Sequence, residues 1–413
     1  MNRTQGGFMK RRILFVDDEE MILRGLGRLL RPMSNEWDME FVNSGAKALE
    51  RMAAIQFNVV VSDMRMPAMN GAELLNEVMK RYPKTVRLIL SGYADRNLIL
   101  KCIGSTHQYL SKPCDERELK MAVMRAAHLE ESLENETLRQ LVTRCAVIPC
   151  VPTLYSEIIE VLQDPETNTE AIASILVKDG GMTAKIMKLA NSAFFGLGRE
   201  ISSPSEAVAY LGTETIKSLI LFSNAFSQHE YLKLPGFAAE SLWRHSLDAA
   251  NASKMVATCE GAERKVVEEA YVAGLLHDVG KLVMAANLVE QYEEAVNTAQ
   301  REKIPLYAAE RKIFGADHAD IGGYLLGLWG LPVPVVEAIA LHHRPGVAVQ
   351  NKFAPLTALH AGNTLAASDN PAITGIPVSV VDASYLETLG LGYRMEEWRR
   401  EWQNRICEGS CAT

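Results

Sequence analysis

No pair of the seven cysteines, at 102, 114, 145, 150, 259, 407 and 411, stands in a CxxC motif, and they form no dense framework. A disulfide-stapled scaffold is therefore excluded, and a reduced setting is expected. Long apolar runs are also missing. Nothing approaches the ~20 residues of a membrane span, and behind Lys10, Arg11 and Arg12 only Ile13 to Val16 is apolar, too short for a signal-peptide core. Positive charge is in deficit: 43 Lys plus Arg stand against 51 Asp plus Glu, a net charge of −8, the wrong sign for a broad polyanion-binding surface. A soluble cytoplasmic protein is expected, with neither nucleic acid nor membrane insertion as its business. What is present is ordinary globular material, 23% charged and 48% hydrophobic over 413 residues, enough for two or three domains.

Short β-rich runs, Ile13 to Val16, Met39 to Val42, Val59 to Ser62, Val86 to Leu90 and Tyr109 to Ser111, alternate with helical patterns at Met21 to Leu30, Ala46 to Ala54, Gly71 to Arg81 and Asp95 to Ile103. That alternation predicts a parallel sheet flanked by helices. Ligand groups in such sheets gather at the carboxyl ends of the strands, and there the sequence places Asp17 and Asp18, Asp63, Ser91 and Lys112. Crowded carboxylates need a compensating cation. A hard, oxygen-preferring ion such as Mg²⁺, helped by Lys112, suits them, and the chemistry to expect is phosphoryl transfer to an aspartate.

From Asp115 a helical pattern runs to about Arg144 with no Gly or Pro, some 40 Å at ~1.5 Å per residue. It reads as a signalling helix and a candidate homodimer surface over 115–144, although the phase slips after Leu133. Beyond Pro149 helix follows helix, among them Thr183 to Ala190 and Val266 to Ala286, giving an all-α second domain. Histidines gather in WRHSL at 245, GLLHDVGK at 277, GADHADIGG at 318 and ALHHRPG at 342, and His with carboxylate suits a transition metal. His277 and Asp278 share one ion only near a helix end or kink, which Gly280 is expected to provide.

The segments LFVDDEE, VVVSDMRMPAMNG, LILSGYAD and QYLSKP resemble the receiver domain of two-component response regulators, of flavodoxin-like (βα)5 fold. The resemblance implies phosphorylation of Asp63 by a partner histidine kinase. It also implies Mg²⁺ held by Asp17, Asp18, Asp63 and the Arg65 carbonyl, with Ser91, Tyr109 and Lys112 as switch and phosphoryl contacts. Downstream, PCVPTLYSEIIEVLQD, VKDGGMTAKIMKLANSAFFG and ISSPSEAVAYLG resemble the HDOD domain, an output module of the HD superfamily generally regarded as lacking hydrolase activity. The HD-type metal set maps to His245, His277 and Asp278, with Asn363 where an Asp is expected; His318, His342 and His343 resemble the extra ligands of the binuclear HD-GYP phosphodiesterases. The resemblances imply a receiver over 11–128, a helical linker over 129–147, an HDOD output domain over 148–370 and a C-terminal extension over 371–413 packed on it. The output is then expected to act by binding an unidentified protein. The alternative is a metal-dependent phosphohydrolase under receiver control, a cyclic-di-nucleotide phosphodiesterase, with a transition metal at the histidine set. The Asp179-Gly180-Gly181 departure from the family's Asp-Pro implies a looser turn.

Overall fold

The computed structural model describes residues 10–91, 105–112, 168–191, 201–212, 239–348, 352–369 and 380–410, together with isolated positions between them, among them 117, 119–124 and 126. The expected helix at 95–103, most of the 115–144 helix and the Phe194-Phe195 pair lie outside the described residues. The chain divides into two compact units, the first built on Met1–Glu131 and the second on most of the remainder.

The first unit alternates β1 (Arg11–Val16), α1 (Glu20–Leu29), β2 (Trp37–Val42), α2 (Gly45–Ala54), β3 (Val59–Asp63), α3 (Gly71–Arg81), β4 (Val86–Ser91) and β5 (Gln108–Ser111). All strand pairs are parallel, in the order β2-β1-β3-β4-β5. Continuous apolar strands such as Ile13–Val16 and Val59–Val61 are fully buried, as expected of a sheet covered on both faces. Register then sets the site. Val16 lies opposite Ser62, Asp63 opposite Leu90 and Ser91 opposite Ser111. Asp17, Asp63 and Lys112 therefore emerge together at the carboxyl edge. Helix α3 starts on a reciprocal capping box between Asn70 and Glu73. Its first residue must be glycine, because a Cβ on Gly71 would lie 2.2 Å from the Asp63 carbonyl oxygen.

In the second unit, every regular element among the described residues is helical. They are α4 (Thr169–Leu176), α5 (Gly180–Ala190), α6 (Pro204–Leu211), α7 (Ala239–Cys259), α8 (Arg264–Leu276), α9 (Val279–Asn287), α10 (Val289–Glu302), α11 (Leu306–Phe314), α12 (His318–Leu328), α13 (Val333–Leu341), α14 (Pro355–Asp369), α15 (Ala383–Thr388) and α16 (Arg394–Ser410). Two expectations change here. The Asp179-Gly180-Gly181 segment is no loose turn: Asp179 accepts a hydrogen bond from the Met182 N–H at 2.9 Å and opens α5 at Gly180. The single helix expected over Val266 to Ala286 is broken at His277–Asp278 into α8 and α9. Gly280 lies inside the new helix rather than ending the old one, and serves close approach, since a Cβ there would meet the His318 carbonyl oxygen at 2.0 Å.

Asn191 locks α5 to the next segment through paired bonds with Ile201, each 2.8 Å. The extension packs Tyr385, Leu386, Trp398 and Trp402 into a cluster with Met255, Val256, Ala358 and Leu365. Trp398 Nε1–H donates to Glu260 at 2.9 Å, which satisfies the one polar atom the burial of an indole would strand.

Candidate functional site

At the sheet edge, Lys112 Nζ donates to Asp17 Oδ2 at 2.6 Å and reaches Asp63 Oδ1 at 2.5 Å. Asp17 is 1% and Asp63 6% exposed, so one ammonium bridges two buried carboxylates. Each second oxygen is held by backbone: Asp17 Oδ1 accepts from the Glu19 N–H, and Asp63 Oδ2 from the Arg65 N–H. Burial pushes the Asp63 carboxyl up from its ordinary value, with Lys112 opposing. Burial alone would lower Lys112, but the bonds to Asp17 and Asp63 win and raise it. Asp18 and the Arg65 side chain are exposed beside this cluster. Tyr109 is fully buried on β5, while Ser91 closes β4 with its side chain outside the described residues. With Asp18, three carboxylates face one lysine. The donor set is all oxygen and one ammonium short of neutrality by two charges, which fits a hard divalent cation such as Mg²⁺.

In the helical unit, the α8–α9 break, the start of α12, the end of α13 and α14 converge. The approach of α8 to α7 is close enough that a Cβ on Gly274 would lie 2.5 Å from Ala250 Cα. His245, His277 and Asp278 offer ligand atoms within 4.8 Å of one another, and so do His318, His342 and His343. Asp278 links the two sets: its Oδ1 lies 3.3 Å from His277 Nε2 and 3.2 Å from His318 Nε2. Asn363 Oδ1 sits 3.0 Å from His245 Nε2, so all seven sequence-chosen residues meet in one buried region.

Two further groups complete it, neither named from the sequence. Lys281 Nζ donates to Asp278 Oδ2 at 2.7 Å, an i,i+3 partner legible in the HDVGK segment. Glu310 accepts from both the Nδ1–H and the backbone N–H of His318, at 2.6 and 2.9 Å; it lies across a turn and leaves no local signal. Beside them Asp320 is bridged by Arg311 at 2.7 Å and Arg344 at 2.6 Å, which ties the segment after His343 to α12.

Burial dominates the protonation of the histidines. It pushes His245 down to about 3 and holds His277, His342 and His343 below the usual imidazole value. His318 is the exception. Burial opposes its charge, yet the Glu310 carboxylate, with Lys281 opposing and Asp278 helping, carries it up to about 9. Asp278 stays ionised despite burial because His277, Lys281 and His318 surround it.

Comparison with known proteins finds two family matches, the response regulator receiver domain over residues 13–124 and the HDOD domain over 148–345. An uncharacterized protein of Treponema pallidum is 26% identical over 196 residues, 48% of this chain and 37% of that protein. The hydrogenase transcriptional regulatory protein HoxA of Cupriavidus necator is 34% identical, over 24% of this chain and 21% of that one. The regulatory protein AtoC of Escherichia coli is 32% identical, over 29% and 26%. The chain thus spans well under half the length of these curated relatives. Among solved structures, the MmoQ response regulator of Methylococcus capsulatus is 24% identical with a TM-score of 0.48, covering 61% of this chain and 98% of that one.

Proposed function

From the premise that this chain is a response regulator, a receiver domain joined to an HDOD domain in one polypeptide, we propose that a histidine kinase phosphorylates Asp63 and that the phosphoryl group controls a protein-binding, non-catalytic HDOD output. The observation that carries this reading is the Lys112 ammonium held between the Asp17 and Asp63 carboxylates. Asp63 takes the phosphoryl group on a carboxylate oxygen, and Lys112 turns from Asp63 to the incoming phosphoryl oxygens. Asp17, Asp18, Asp63 and the Arg65 carbonyl would hold Mg²⁺, which when bound supplies charge neutralisation for the transferring phosphoryl group. Ser91 and Tyr109 follow the phosphoryl group as switch residues. The added charge, about two units, biases the receiver, and the helix over 115–144 relays the bias and can pair two copies.

The domain boundaries at 128, 147 and 370 belong to the same reading, as does a cytoplasmic setting. None of the described helices is long and apolar enough to cross a membrane, and the net charge of −8 speaks against nucleic acid as the direct partner. The test is hydrogen exchange across 239–369 with and without acetyl phosphate and Mg²⁺. Protection should change in wild type and not in Asp63→Asn; identical traces for treated and untreated wild type would refute the relay.

A second reading is favoured by a separate observation. His277 Nε2 and His342 Nε2 are buried without hydrogen-bond partners in the His/Asp region, as waiting ligands would be. On this reading His245, His277, Asp278, His318, His342 and His343 form a metal-dependent phosphohydrolase site despite Asn363. Turnover of cyclic di-nucleotides with Mn²⁺ or Fe²⁺ supports it, and none under any metal retires it.

A further inference from the structure

The two halves of the histidine region are unequally prepared for a cation. In the half made by His245, His277 and Asp278, the anionic oxygen Asp278 Oδ2 is already taken by Lys281 Nζ at 2.7 Å. His245 Nε2 is spent on Asn363 Oδ1 at 3.0 Å, and the neutral amide of Asn363 adds no charge. The half made by His318, His342 and His343 is arranged differently. His342 donates its Nδ1–H to the Ile339 carbonyl at 2.7 Å, which fixes the tautomer and leaves Nε2 as a lone pair. That nitrogen is buried, on a residue 2% exposed, and has no hydrogen-bond partner. His318 is oriented in the same way by Glu310 at 2.6 Å, and its Nε2 faces His343 Nε2 at only 3.0 Å. Imidazoles whose outer nitrogen is donated to a carbonyl or carboxylate, with inner nitrogens converging, are the arrangement metal-ligating histidines adopt. Asp278 Oδ1, 3.2 Å from His318 Nε2 and without a hydrogen bond, supplies negative charge to the same space.

We propose that the output domain binds one borderline divalent ion of the zinc class through Nε2 of His318, His342 and His343, with Glu310 as the positioning carboxylate of His318. Three imidazoles disfavour Mg²⁺ and Ca²⁺, which take oxygen ligands, and suit Zn²⁺ or Co²⁺. The inference deepens the second reading above by placing the ion in one half of the region, but it needs no turnover: a lone three-histidine ion fits a structural or ligand-gated output as well as a hydrolytic one.

The test uses the full chain, stripped by chelator, titrated with Zn²⁺ or Co²⁺, desalted and analysed for metal per chain, with the visible absorption of Co²⁺ as a second readout. Expected are one equivalent in wild type, one in His245→Ala and none in His342→Ala. Glu310→Gln should bind 10- to 100-fold more weakly. Should His342→Ala fail to fold by circular dichroism, His343→Gln, at a half-buried position, takes its place with the same expected loss. Two equivalents in wild type, loss of the ion in His245→Ala, or metal-free wild type would each overturn the proposal. Hydrolysis of bis(p-nitrophenyl) phosphate on the same samples separates the two claims. One equivalent without turnover ends the phosphohydrolase reading and keeps this one, whereas turnover that disappears together with the ion in His245→Ala does the reverse.

Discussion

Replacing Lys112 by Met keeps most of the side chain's apolar volume and removes the charge that bridges Asp17 and Asp63. Two charge-assisted hydrogen bonds are lost, at 2.6 and 2.5 Å. Such bonds contribute about 1.5–3 kcal/mol each. Lys112 is 26% exposed, so the low end applies, and the receiver should lose about 3 kcal/mol, a little over two decades in an opening equilibrium. Whole-chain melts would blur this across two units, so the assay is native-state hydrogen exchange on peptides covering β3 and β1, read near neutral pH. Their amides should exchange about a hundredfold faster or more in Lys112→Met. Mg²⁺ at a hundred times its dissociation constant should return about 2.7 kcal/mol, because a divalent ion then occupies the charge gap left between the carboxylates. Unchanged β3 protection, or loss that Mg²⁺ does nothing to reverse, would refute the electrostatic reasoning.

Other substitutions test separate parts of the account. Gly71→Ala should destabilise the receiver by about 3 kcal/mol, the upper end for forced overpacking, because the new methyl meets the Asp63 backbone at 2.2 Å; a neutral result in the same exchange assay would show that α3 can retreat. Ala68 holds a left-handed φ of 66°, so Ala68→Gly should stabilise by about 1 kcal/mol, measured as a rise in receiver protection. Asp382 caps α15 by accepting from the Tyr385 N–H at 3.1 Å, and Asp382→Ala should cost about 1 kcal/mol. Its carboxyl is held below the usual carboxylate value by the Ser384 hydroxyl and the Tyr385 N–H, so that contribution is complete above the ordinary value of 3.8 and fades as pH falls through the depressed one. The gap between wild type and Asp382→Ala in urea titrations should close accordingly on acidification. Asn363→Asp places an anion beside His245 and should add a second equivalent of Zn²⁺; metal analysis that stays at one would show that Lys281 alone blocks that half.

The receiver was legible because its logic is one-dimensional. Buried parallel strands must be continuous apolar runs, and the residue after each run lands at the carboxyl edge, so Asp17, Asp63 and Lys112 could be placed from strand ends alone. The helical unit hides more. The Val266 to Ala286 pattern keeps its apolar period through His277 and Asp278, and the break there comes from tertiary demands: His277 donates to the Gly274 carbonyl at 2.7 Å, and Gly280 fits against His318. Asp179 is itself a cap residue, but an expected Asp-Pro turn obscured the helix start at Gly180. Glu310 carries no sequence signal, because its role depends on α11 folding back across the start of α12. Asn363, by contrast, was visible as a missing carboxylate, and its hydrogen bond to His245 shows what the amide does in place of a metal contact.

The most direct test of the central claim is intact and peptide mass spectrometry after incubation with acetyl phosphate and Mg²⁺. The account predicts one phosphoryl group, located on Asp63, absent in Asp63→Asn and absent without Mg²⁺. An unmodified wild-type chain, or a phosphoryl group on any other residue, would contradict it.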